Sequence, residues 1–214
     1  MVNLQPDDAL PTARCVRGVF DEVSADPTAA PWRDLRGILL RETITGANPA
    51  QETVVKLAWD AADLRVLFHA ADQHIWATMT ERDAPLYEEE VVEVFLDPGG
   101  DLASYFEIEV NPLNTVLDLV LRRNRSGCVK NFAWQCEGLR TAVNRSAGAW
   151  TTELAIPFRA LTSVTPNVGT RWRVNFFRID RPPDRERELS AWSPTGSGTF
   201  HRPERFGVLE FCDE

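Results

Sequence analysis

The chain has little of what many catalytic or membrane-bound folds require. No apolar run approaches the ~20 residues needed to cross a bilayer. The segment from Met1 to Thr12 is polar and holds no apolar signal-peptide core. It leads to the expectation of either a cytoplasmic protein or an excised piece of a secreted one. Cationic residues are in deficit, 23 Lys and Arg against 32 Asp and Glu, for a formal net charge of −9. Such a surface lacks the basic patches that displace counterions, so neither nucleic acid nor a membrane is an expected partner. Histidine is scarce: His69, His74 and His201 are scattered and form no His-Glu-x-x-His pair, which argues against zinc. There is no Gly-x-Ser-x-Gly elbow, and Gly196-Ser197-Gly198 is a lone fragment without the strand–helix context of a phosphate loop. No window carries a sustained helical stripe.

Four cysteines do not decide the redox compartment. Cys128 and Cys136 could bridge a hairpin, and Cys15 and Cys212 could tie the two ends. Four free thiols packed as small hydrophobes is the preferred reading.

What is present is a period of two. Leu64, Val66, Phe68 and Ala70 alternate with Arg65 and His69, and Phe106, Ile108 and Val110 alternate with Tyr105, Glu107, Glu109 and Asn111. That is the pattern of a strand with one buried face. The runs 53–59, 91–96, 115–122, 139–143, 150–156, 171–179 and 206–211 read the same way, with weaker candidates at 14–20 and 35–43. Turn residues punctuate them, as in Asp97-Pro98-Gly99-Gly100 and Ser146-Ala147-Gly148. Residues 157–161 fit one helical turn with Pro157 at its first position. The expectation is an all-β fold: a single two-sheet antiparallel β-sandwich of immunoglobulin or jelly-roll type. No linker or internal repeat divides the chain, so 1–214 reads as one domain with its core at about 16–211.

Two connections are long, from Ala71 to Glu90 and from Arg181 to Glu204, and long loops in a compact domain usually carry function. Trp76, Tyr87, Trp192 and Phe200 sit in or beside them. Trp59, Trp150 and Trp172 lie on strand patterns and read as core, and Trp32 reads as a plug at one end of the sandwich. Loop aromatics bordered by carboxylates, amides and Arg suit a sugar, whose flat C–H faces stack on rings while its hydroxyls seek polar partners. His201, in the second loop, is a further candidate contact.

Glu93, Glu107 and Glu109 alternate with apolar residues and are expected on one sheet face. Paired carboxylates can grip hydroxyls, or can act as the acid and base of a glycosidase. Glu88-Glu89-Glu90 reads as a solvated loop. Together with Asp83, Asp97 and Asp101 it offers oxygen atoms suited to calcium as a structural ion. No other cofactor is expected. Asn124-Arg125-Ser126 and Asn144-Arg145-Ser146 fit the glycosylation triplet, which has meaning only in a eukaryotic secretory setting.

The stretch 83–98, Asp-Ala-Pro-Leu-Tyr-Glu-Glu-Glu-Val-Val-Glu-Val-Phe-Leu-Asp-Pro, resembles the family 9 carbohydrate-binding modules within the wider DOMON-like sandwich group. Agreement continues in Val55–Asp60 with Leu64-Arg65-Val66, in Phe106–Asn111, and in Ala191-Trp192-Ser193-Pro194 followed by Phe200–Gly207. The resemblance spans roughly Val16 to Phe211. It implies an aromatic slot formed by Tyr87 and Phe200, with Trp192 in a more structural position. It further implies polar contacts from Glu93, Glu109 and Asn111. Glu109 departs from the family's pattern, standing where an arginine is expected, and Tyr87 and Phe200 replace tryptophans. The implied function is non-catalytic binding of mono-, oligo- or polysaccharide, in support of a glycoside hydrolase catalytic domain. The alternatives are a glycosidase using Glu93 and Glu109, and a haem module, as in other DOMON-like domains, drawing on Met79 and a histidine.

Overall fold

The computed structural model describes residues 10–124 and 127–213. The Asn124-Arg125-Ser126 triplet therefore falls largely outside the described residues. Fourteen strands follow in chain order among the described residues. They are β1 (Thr12–Arg17), β2 (Ile38–Leu39), β3 (Arg41–Glu42), β4 (Thr53–Trp59), β5 (Asp63–Ala71), β6 (Val91–Asp97) and β7 (Ser104–Val110). The second half holds β8 (Val116–Asn124), β9 (Gly127–Asn131), β10 (Arg140–Ser146), β11 (Ala149–Pro157), β12 (Arg171–Asp180), β13 (Glu188–Ala191) and β14 (Gly207–Cys212). A single turn of helix, α1 (Phe158–Leu161), follows β11 with Pro157 at its N-cap, close to the sequence expectation. The weak run at 35–43 is split between β2 and β3, and two strands, β9 and β13, had no pattern to announce them.

The strands pair in the order β10-β11-β5-β4-β1-β14-β12-β6-β7-β8-β9, with β2 on β4 and β13 on β12 and β3. Nearly all pairs are antiparallel, as expected; β1 departs by running parallel to both β4 and β14. At β1 and β14 the order folds over, making a sandwich. Residues of β4, β5 and β11 face residues of β6, β7 and β12 across the main core, and Phe68 of β5 meets Phe176 of β12 at 6.1 Å.

Alternation assigns each side chain to a face. Val92, Val94 and Leu96 of β6, Ile108 and Val110 of β7, and Val174 and Phe176 of β12 enter that core. The opposite face of the same sheet is also apolar: Val91, Phe95, Tyr105, Leu117, Leu119, Leu121, Phe177 and Ile179 form a second cluster. Burying these gains roughly 12–24 kcal/mol, more than the ~5–15 kcal/mol net stability of a typical domain. The face therefore has to be covered. Leu86 from the 3-10 turn Leu86–Glu88, Ala191 at the end of β13, and Phe200 and Phe206 cover it.

The outer face of the other layer is covered as well. Trp32 packs on Ala58 and Leu67 together with Phe20 and Leu35, so it lies against a sheet face rather than plugging an end of the sandwich. Beneath the same segment Arg65 is buried among Asp60, Asp63 and Glu153, and Glu153 accepts hydrogen bonds from the amides of Ser24 and Ala25. All four cysteines are free thiols, with Cys15 and Cys136 buried and Cys128 exposed.

One charged side chain crosses the main core. Arg178 of β12, fully buried, pairs with Asp72 at 2.9 Å and Asp180 at 3.1 Å. It also donates to the Ala71 carbonyl at 2.7 Å and the Thr53 hydroxyl at 3.2 Å, both on the facing layer. Removing one partner of a buried ion pair strands the other's charge. Arg178→Met should therefore lower unfolding free energy by about 3–5 kcal/mol, read as a drop in the urea midpoint.

Candidate functional site

The covered outer face of β6 and β7 holds three glutamates. Register places Glu93 directly opposite Glu109, with Glu107 two residues away opposite Phe95. The strand pattern thus brings three carboxylates onto one patch, as the sequence anticipated. Like charges directly opposite each other in a sheet are unfavourable, and burial compounds this: Glu93, Glu107 and Glu109 are 2%, 2% and 0% exposed. One oxygen of each lies within 4.8 Å of those of the other two.

Burial raises all three carboxyls above the usual range. The neighbouring glutamates add to the rise at Glu93 and Glu109. Neither oxygen of Glu109 has a hydrogen-bond partner, and neither does Oε2 of Glu107.

These groups open into a pocket of about 310 Å³. Tyr87, on the 3-10 turn before β6, and Phe200, from the loop after β13, both line it. Tyr87 is 38% exposed, and the Lys130 ammonium of β9 sits 5.8 Å from its ring centre. Phe200 stacks on Phe177 with centroids 4.2 Å apart and planes 18° apart, so one of its faces is already covered. His201 stacks on Phe95 and its Nδ1 is 3.0 Å from the Tyr105 hydroxyl. Burial, aided by Lys130, lowers the His201 pKa to about 4, which keeps the ring neutral at ordinary pH.

Five of the residues singled out from sequence thus meet in one pocket: Tyr87, Glu93, Glu109, Phe200 and His201. Asn111 does not line it. Its amide donates to the Met79 carbonyl at 2.8 Å, and its Oδ1 accepts from Leu113 and Thr115, so the side chain is consumed in fastening the 71–90 loop to the turn after β7. Trp192 is also elsewhere. It packs in the main core on Phe176 at 5.8 Å, and a Cβ on Gly207 would collide with its ring. Trp76 lines a different depression, under the 181–187 segment. Residues the reading passed over are Lys130 and Arg187. Glu107 was placed on the correct face but not in the site.

Three of the acidic residues nominated for calcium hold backbone amides. Asp97 accepts from the amides of Gly100 and Leu102, and Asp101 from that of Ala103. Glu89 is buried, not solvated, and holds the Thr78 hydroxyl and the amides of Thr78 and Met79. A second acidic group, Asp72, Glu90 and Asp180, also has oxygens within 4.8 Å of one another. It already contains the Arg178 cation, and burial and the hydrogen bond to Asp72 raise Glu90 to about 9.

The carbohydrate family 9 binding domain-like family model matches residues 25–214. A protein of Arthroderma benhamiae named "Extracellular protein" is 26% identical over 210 residues, 88% of this chain and 92% of that protein. Endo-1,4-beta-xylanase A of Thermoanaerobacterium saccharolyticum is 28% identical over 139 residues, 65% of this chain and 11% of that enzyme. Among solved structures, a Bacteroides uniformis protein aligns with a TM-score of 0.79 at 17% identity, over 95% of this chain and 100% of that one. A family 9 carbohydrate-binding module from Caldicellulosiruptor kristjanssonii, in complex with glucose, aligns with a TM-score of 0.72 at 18% identity, over 95% of this chain and 97% of that one. Its cellotriose complex aligns equally well, with a TM-score of 0.72. At these identities the structural likeness is one of fold.

A carboxyl whose pKa is raised by folding contributes stability that is full below its unfolded value, 4.5 for glutamate, and is lost as pH climbs through the raised value. The melting temperature should therefore fall between about pH 5 and about pH 9. Glu109→Gln removes one ionising group and lets an amide donate to Glu107. It should flatten that slope and melt a few degrees above the parent at the alkaline end, as followed by circular dichroism.

Proposed function

This chain belongs to the carbohydrate family 9 binding domain-like family, and on that premise we propose that it acts as a carbohydrate-binding domain without catalytic chemistry of its own. The observation that carries the reading is the convergence of Tyr87 and Phe200 on one pocket above Glu93 and Glu109, from two loops more than a hundred residues apart in sequence. A sugar ring lies against the exposed Tyr87 face, with the Phe200 edge opposite. Glu93, Glu109 and His201 take its hydroxyls. The pocket volume falls at the lower end for a small-molecule site, which suits one or two sugar units. The Caldicellulosiruptor module's complexes with glucose and cellotriose support glucose-based saccharides as the first ligands to try.

The absence of catalysis is supported by the way the carboxyls are shifted. A glycosidase needs one carboxyl protonated and its partner ionised, with environments that push the two apart. Here burial pushes Glu93 and Glu109 in the same direction, upward. A haem site is disfavoured because the His201 ring is stacked on Phe95 with Nδ1 engaged by Tyr105. The chain works as one domain, and its partner is a saccharide. The xylanase relative, of which the match spans 11%, supports service beside a glycoside hydrolase domain. The name of the fungal relative supports action outside the cell. Calcium as a structural ion belongs to the same proposal.

Calorimetric titration with glucose and cellotriose tests the proposal. Affinity should fall in the micromolar to millimolar range, since each stacking contact adds only ~1 kcal/mol. Tyr87→Ala should bring binding below detection while moving the melting temperature by less than about 2 °C, as for a half-exposed residue. No binding to any sugar, or an unfolded Tyr87→Ala protein, would overturn it.

A further inference from the structure

The floor of this pocket is built for a positive charge. Glu93, Glu107 and Glu109 bring oxygens within 4.8 Å of one another, and among the described residues no Lys or Arg nitrogen lies within 4.0 Å of them. The pocket's own cations stay at its walls: Lys130 on β9 sits over Tyr87, and Arg187 lies just before β13. His201 approaches Glu107 at 3.9 Å but is neutral. Glu109 is wholly buried, and neither of its oxygens has a hydrogen-bond partner among the described residues.

A neutral sugar hydroxyl can donate one hydrogen bond to such a carboxyl but brings no charge that would let it ionise. An ammonium offers three donors and the charge together. A bare metal ion would also supply charge, yet it would leave the rest of a 310 Å³ pocket and the Tyr87 and Phe200 rings unused. A ring bearing an ammonium uses all of these features. Resting on the carbohydrate-binding reading, we propose that the preferred ligand class is a cationic saccharide. Its ring is a free amino sugar, with the ammonium seated on Glu93, Glu107 and Glu109 and the sugar face on Tyr87. Burial favours the protonated carboxyls in the free protein; the arriving ammonium lets one of them ionise, so binding releases a proton to solvent.

The test is calorimetry with three trimers: glucosamine trimer, its fully N-acetylated form and cellotriose. Each is run with EDTA and with calcium chloride, in two buffers of different ionisation heat. The glucosamine trimer should bind about tenfold more tightly than cellotriose. Acetylation should abolish that preference, and the heat should change with buffer in the direction of proton release. Glu109→Gln, with Glu93→Gln as a second variant should the first fail to fold, should reduce the preference to less than about threefold. Equal or tighter binding of cellotriose would overturn the inference and leave carbohydrate binding standing. Binding of neutral trimers only with calcium would replace the ammonium by a divalent ion and also overturn it. No binding to any trimer would overturn both readings.

Discussion

The sheet formed by β12, β6, β7 and β8 is apolar on both faces, and this double burial is the constraint on which the rest of the structure depends. A sandwich needs only one face of each sheet covered, and the other normally meets water. Here β6 has no exposed residue at all. The loops at 71–90 and 181–206 are therefore obliged to fold across the outer face, delivering Leu86, Phe200 and Phe206 to its apolar cluster. Where their coverage stops short, above Glu93, Glu107 and Glu109, the pocket remains. The site is thus a by-product of core formation: the side chains that anchor each loop are immediate neighbours of those that line the cavity, as Leu86 is of Tyr87.

Charge inside this fold is handled in two contrasting ways. Around Arg178 the acids are matched by a buried cation, with hydrogen bonds to both layers. Around Glu109 no Lys or Arg among the described residues lies within ion-pair distance, and burial raises the carboxyls' pKa values instead. The first arrangement braces the sandwich. The second leaves interaction capacity unspent at a solvent-facing pocket, the usual signature of a functional group rather than a structural one. Both occupy strand positions that alternate with large apolar residues, so strand periodicity alone does not tell a brace from a site.

Much of this was legible in the sequence because period two reports faces directly. The convergence of Glu93 with Glu109 follows from two strands and an antiparallel register, and Tyr87 and Phe200 were found through the family resemblance. Lys130 was invisible because β9 is exposed along its whole length and carries no alternation. Trp192 was misleading because its loop context hides a core position that depends on Gly207, distant in sequence. Asn111 has the composition of a ligand contact, but its amide is saturated by backbone groups of two loops, a fact that only tertiary structure supplies. Glu89 shows the reverse of the Lys130 case: an acidic run suggests solvent, while three donors from residues 78 and 79 draw the side chain inward.

The seam at β1 has a mechanical consequence. Because β1 runs parallel to β14, with Thr12 beside Val208 and Val16 beside Cys212, the first strand starts at one end of the pair and the last strand finishes at the other. Tension applied through Thr12 and Cys212 would pull these neighbours in opposite directions along their own axes. Their hydrogen bonds would then bear the load together in shear, not one by one as in an unzipping hairpin.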